Sequence, residues 1–102
     1  MYLIQLLLPL CDNDGLPFPQ SMYLQLRDEL ANRFRGITTY VRYPAEGIWH
    51  EGSVDPMRDE IVIYEVMAQE LDREWWQDFR KRLERSFRQE SVIVRASRIE
   101  VL

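Results

Sequence analysis

Acid–base chemistry in this chain could be built around one stretch, AEGIWHEGS, Ala45 to Ser53, which holds the only histidine. His50 titrates near neutrality, and a carboxylate beside it could hold its tautomer, the pairing that general acid–base work needs. Glu51 is adjacent and would point to the opposite face of an extended segment, so Glu46 or the distant Glu65 is the better partner. A loop histidine is ordinarily solvated, and the reading favoured here is a strand-to-strand connection with an exposed His50 and a packing Trp49. Cys11 is the only cysteine, so one chain can form neither a disulfide nor a cysteine-based zinc site. With a single imidazole as well, no metal and no cofactor are expected, and no phosphate-cradling glycine loop or Ser-His-Asp pattern is present.

A second set of chemistry-bearing residues is scattered through apolar segments: Gln5, Tyr40, Arg42, Glu65 and Arg95. Their meaning depends on the elements that carry them. Tyr2 to Leu8 is a short apolar run stopped by Pro9 and reads as a strand. CDNDGLPFP follows as a loop, dense in turn formers. A helix should open from Ser21, with Ser21 or Gln20 near its cap. Tyr23, Leu26, Leu30 and Phe34 recur on one face, and Gly36 stands where a glycine stop belongs. Ile37 to Tyr43 is β-branched and aromatic, Glu60 to Met67 is a second apolar strand, and Ser91 to Val101 is the last. Between these, Asp72 should cap a helix with Trp76, Phe79, Leu83 and Phe87 inward. Glu74 near its start and Arg85 near its end suit the helix dipole.

The order is therefore βαββαβ. A shift of about 53 residues, the spacing of two split-βαβ halves, lays Tyr23, Leu26, Arg27, Leu30 and Phe34 on Trp76, Phe79, Arg80, Leu83 and Phe87. Two copies of one unit predict a single α+β domain over residues 1–102. It is a ferredoxin-like sandwich, a four-stranded antiparallel sheet with both helices on one face.

Alternation along the strands then sorts the two sheet faces. Tyr2, Ile4, Leu6, Leu8, Val62, Tyr64 and Val66 go to the helices. The other face receives Leu3, Gln5 and Leu7, then Thr38, Tyr40 and Arg42, then Ile61, Ile63, Glu65 and Met67, and finally Ile93, Arg95 and Ser97. It is apolar at its margins and polar across the middle. An apolar face of that size calls for a cover, and a second copy across a two-fold axis would supply one. Glu65 and Arg95 would pair within or across that interface, and Gln5, Glu65 and Arg95 would fix its register. The other reading is a cavity in which Arg95 binds the carboxylate or phosphate of a small anionic ligand and Glu65 orients it.

Bulk composition narrows the partners. With 46% hydrophobic and 12% aromatic residues the chain can fill a core. A net charge of −4 offers no basic field for nucleic acid. MYLIQLLLPL is too short for a membrane span and lacks the basic start of a signal peptide, so a cytoplasmic protein is expected.

Four segments form a further pattern: Arg33-Phe34-Arg35-Gly36-Ile37-Thr38, Gly47-Ile48-Trp49, Asp59-Glu60-Ile61-Val62 and Phe87-Arg88-Gln89-Glu90-Ser91-Val92. Together they resemble a family of small bacterial proteins known only as a domain of unknown function. The resemblance spans roughly residues 30 to 95 and is most specific at Gln-Glu-Ser-Val. This chain departs from it in having arginine for glycine at Arg88, an inserted His50, and no signal or lipid-attachment segment. The resemblance implies a compact α+β domain and no chemistry. It marks Gln89, Glu90 and Ser91 as a turn, where Glu90 and Ser91 are expected to bond backbone groups.

Two functions remain open from the sequence. One is a homodimeric, non-catalytic binding or interaction module. The other is a cofactor-independent enzyme of the dimeric α/β-barrel kind acting on a small organic acid or aromatic compound. In it His50 would be the acid–base, Arg95 or Arg42 the anion clamp, and Tyr40 or Glu65 the orienter.

Overall fold

The computed structural model describes residues 1–34, 36–42 and 61–102. Six elements follow in chain order: β1 (Tyr2–Pro9), α1 (Gln20–Arg33), β2 (Ile37–Arg42), β3 (Ile61–Ala68), α2 (Arg73–Ser86) and β4 (Ile93–Arg98). All pairings are antiparallel and the strand order is β2-β3-β1-β4. Two βαβ halves whose strands interleave in this way give an arrangement compatible with the ferredoxin-like sandwich.

The apolar alternation of β1 has the expected outcome. Ile4, Leu6 and Leu8 are buried and join Val62, Tyr64 and Val66 of β3 in one core. Leu26 and Leu30 of α1 and Trp76, Phe79 and Leu83 of α2 close it from the helix side, with Phe87 just beyond α2. These rings interlock edge to face. Phe18 meets Phe87 at 5.0 Å and 84°, and Trp76 meets Phe79 at 5.6 Å and 79°. No buried residue of the described set is polar or charged.

The two helices are terminated by different physics. The Asp72 carboxylate accepts from the Trp75 backbone N–H at 3.1 Å, the expected N-cap, and Glu74 lies in the first turn. α2 ends in a Schellman motif, with the Gln89 N–H donating to Glu84 O at 2.9 Å and the Arg88 N–H to Arg85 O at 3.2 Å. Arg88 carries the left-handed backbone that this motif requires, φ 50°.

α1 opens where expected, at Gln20, and corrects the sequence expectation at its far end. Its N-cap is Pro19, next to Gln20, with no side-chain cap bond. Proline's fixed φ of −58° orients the first turn, and Pro19 O accepts from the Met22 N–H. At the other end the helix has already stopped before Gly36, because Phe34 turns extended at φ −117° and ψ 150°. The Phe34 ring stacks on Trp76 at 5.3 Å and meets Trp75 edge-on at 5.7 Å. Aromatic packing, not glycine's backbone freedom, ends the helix.

The loop from Leu10 to Phe18 is tied to itself by Asp12. One carboxylate oxygen accepts from the backbone N–H groups of Asp14 and Leu16, and Gly15 takes the left-handed turn at φ 81°. Cys11 is buried and bridges to Pro17. Tyr23 reaches down from α1, its hydroxyl donating to Pro9 O at 2.5 Å, while the Tyr64 hydroxyl donates to Tyr23 O at 2.7 Å. Burial raises both phenols above their ordinary value, and for Tyr23 the neighbouring Cys11 adds to the rise.

Candidate functional site: a polar row across the sheet

The sheet face turned away from the helices carries Gln5, Glu65 and Arg95, three of the residues singled out in the sequence. Antiparallel register sets Gln5 opposite Glu65 on one side and opposite Arg95 on the other. Thr38 stands opposite Glu65 in turn, so one row crosses all four strands: Thr38, Glu65, Gln5, Arg95. Residues directly opposite share a face, which makes this placement a consequence of register alone.

Hydrogen bonds link three of the four, Glu65, Gln5 and Arg95. Gln5 Nε2 donates to Glu65 Oε2 at 2.6 Å, and Arg95 Nε donates to Gln5 Oε1 at 2.8 Å. The chemistry dictates which way the amide lies. A carboxylate can only accept and a guanidinium can only donate, so the NH2 group must face Glu65 and the carbonyl must face Arg95. The expected direct pairing of Glu65 with Arg95 within the chain does not occur. They lie two strands apart, roughly 10 Å at the usual strand spacing, and Gln5 carries the interaction between them.

Apolar residues flank the row as expected at its margins, but less of that surface is exposed than the sequence suggested. Ile63 is fully buried although it faces away from the helices, and Leu3, Leu7 and Ile61 are half-buried. Exposure concentrates on Met67 at 49% and Ile93 at 54%. Met67 is level with Leu3 and Ile93 with Leu7, so the two lie on opposite sides of the polar row.

Of the remaining sequence candidates, strand register sets Tyr40 opposite Ile63 and Arg42 opposite Ile61. His50 lies outside the described residues, together with Glu46, Trp49 and Glu51.

A cavity beside Arg95 does exist. A groove of about 150 Å³ runs between α2 and β4, with Arg73, Trp76, Arg80, Val94 and Arg95 among its lining residues. Ligand sites usually measure about 300–1,000 Å³, so the groove is small for an organic ligand. Arg80 is moreover committed to Glu84 at 3.0 Å, and Arg95 to Gln5.

Sequence reasoning missed one working residue, Glu84. Glu84 Oε2 accepts from Arg80 and from the Val92 N–H at 3.0 Å, tying α2 to the entry of β4. Glu90 and Ser91 were expected to hold that turn; the bonds come from Glu84 and from Gln89, whose Nε2 donates to Phe87 O at 3.0 Å. The i, i+4 spacing of Arg80 and Glu84 was the available signal. Trp75, turned away from the inward Trp76 on the helix and so a candidate in the sequence to cap the end of the core, packs against that core and stacks on Phe79 at 4.9 Å under the Arg33 guanidinium at 4.2 Å.

Among the described residues no helix is long and apolar enough to cross a membrane. No protein-family model, curated protein or solved structure matches the chain.

Proposed function

We propose that this protein is a homodimeric interaction module that associates through the sheet face opposite its helices. The observation that carries this reading is the continuous Glu65–Gln5–Arg95 row with exposed Met67 and Ile93 on either side of it. Hydrogen bonds to charged groups contribute about 1.5–3 kcal/mol, against about 0–1 kcal/mol for exposed ion pairs. A row of this kind contributes little as ion pairing while it faces solvent, and once covered its mutual hydrogen bonds offset the cost of taking its charges out of water. Covering it also removes Met67 and Ile93 from water.

Two further assignments accompany the proposal. The single cysteine, which rules out a disulfide within the chain, supports a cytoplasmic setting. The likeness to the bacterial family described above is supported by position 88, glycine in that pattern and left-handed here.

Native mass spectrometry of the purified chain tests the reading. The expected result is a species at twice the chain mass, lost in Ile93→Asp and Met67→Asp, whose sites are exposed and leave the core untouched. A monomer at micromolar concentration, or a dimer indifferent to both substitutions, overturns it.

A further inference from the structure

An isologous interface must be complementary to its own rotated image, because each contact occurs twice. The polar row has the property this demands. Its hydrogen-bonded part is negative at Glu65 on β3, neutral at Gln5 on β1 and positive at Arg95 on β4, so that part is antisymmetric about Gln5. Two simple two-folds could lay one such face on another. An axis running across the strands, along the row, sets Glu65 on Glu65 and Arg95 on Arg95. An axis running along β1 reverses the row and brings opposite charges together at both ends.

Resting on the homodimer proposed above, we infer that the dimer two-fold runs along β1 over Gln5. Glu65 then pairs with Arg95 of the partner subunit, and Arg95 with Glu65 of the partner subunit. The occupant of this face is thereby a second copy of the chain: a neutral or singly charged partner surface would leave one end of the row facing nothing. Glu65 is half-buried and Arg95 exposed, so both can meet a partner without repacking the core. Gln5 sets the spacing. Its amide holds the two charges on opposite sides of the axis while keeping each from collapsing onto the other within one chain. Like-charge juxtaposition across an interface is strongly unfavourable, which makes the orientation of the axis a measurable quantity.

The test uses Glu65→Arg, Arg95→Glu and the double reversal carrying both, compared with the unaltered chain by native mass spectrometry. Circular dichroism on each sample separates dissociation from loss of fold. Each single reversal should weaken the dimer on the order of a hundredfold while leaving the chain folded. The double reversal should restore it to within about tenfold, its Gln5 amide turned over. When the double reversal is mixed with the unaltered chain, mixed dimers should be absent, because they would set glutamate on glutamate and arginine on arginine. Preferential mixed dimers would place the axis across the strands and overturn the inference. So would single reversals that remain dimeric, which would point to edge-to-edge pairing of strands. If the unaltered chain is itself monomeric, the homodimer reading falls first and this inference with it. A dimer disrupted by Ile93→Asp yet unaffected by the charge reversals defeats the inference alone.

Discussion

Arg88 shows how one residue records a backbone requirement. The Schellman turn after α2 needs a left-handed residue after the helix cap, and Arg88 supplies it at φ 50°. A Cβ there meets the carbonyl crowding that makes the left-handed region unfavourable to all but glycine. Arg88→Gly should therefore stabilise the fold by about 0.5–1 kcal/mol, the strain relieved exceeding the extra freedom gained by the unfolded chain. Urea unfolding would show the midpoint rising with an unchanged slope. A lower midpoint would mean that the arginine side chain contributes more than its backbone costs. Gln5 makes a similar point in the opposite direction. A lone glutamine in an apolar strand is uninformative until register places a carboxylate on one side and a guanidinium on the other.

At the scale of elements, the difference between the helices lies at their ends. α2 carries an acidic cap, an acidic first turn and a completed Schellman motif, while α1 begins without a side-chain cap and ends on an aromatic ring. α2 is also joined to the strand that follows it through Glu84. Glu84→Ala should leave the buried Val92 with an unpaired N–H and release Arg80, a cost of about 1–3 kcal/mol. Hydrogen exchange should show the Val92 amide losing protection while amides in the middle of β1 keep theirs. Equal loss throughout the sheet would show that the contact is part of global stability and not of the α2–β4 junction. Glu84→Gln, which keeps an acceptor, should recover much of the effect.

Across the whole molecule, Tyr23 and Tyr64 bind three elements together: the end of β1, helix α1 and strand β3. Both phenols are held above their ordinary value of 10.0, chiefly by burial. A group whose folded pKa is raised contributes stability that is complete below the unfolded value and is lost as pH rises toward the folded one. Stability should consequently fall above about pH 10. Tyr23→Phe should destabilise the neutral protein by about 1 kcal/mol through loss of the bond to Pro9 O, yet flatten the alkaline fall. Thermal unfolding between pH 7 and 11 measures both; parallel curves for the two proteins would show that Tyr23 is not the group responsible.

The residues alone determined the element order, the inward helix faces and the division of the strands into two faces. Each follows from a local period, 3.6 or 2, that solvent exclusion enforces independently of the rest of the chain. Gln5, Glu65 and Arg95 could be assigned to a common face for that reason, and the cap at Asp72 rests on equally local chemistry. Tertiary structure decided how those three residues connect. Gln5 stands between the charges because β1 lies between β3 and β4, a matter of sheet order that periodicity does not carry. It also decided that α1 stops at Phe34 rather than at Gly36, since the ring's partners Trp75 and Trp76 lie some forty residues away in sequence. The antisymmetry of charge across the sheet has the same origin: residue types are local, but their order across the strands exists only once the strands are paired.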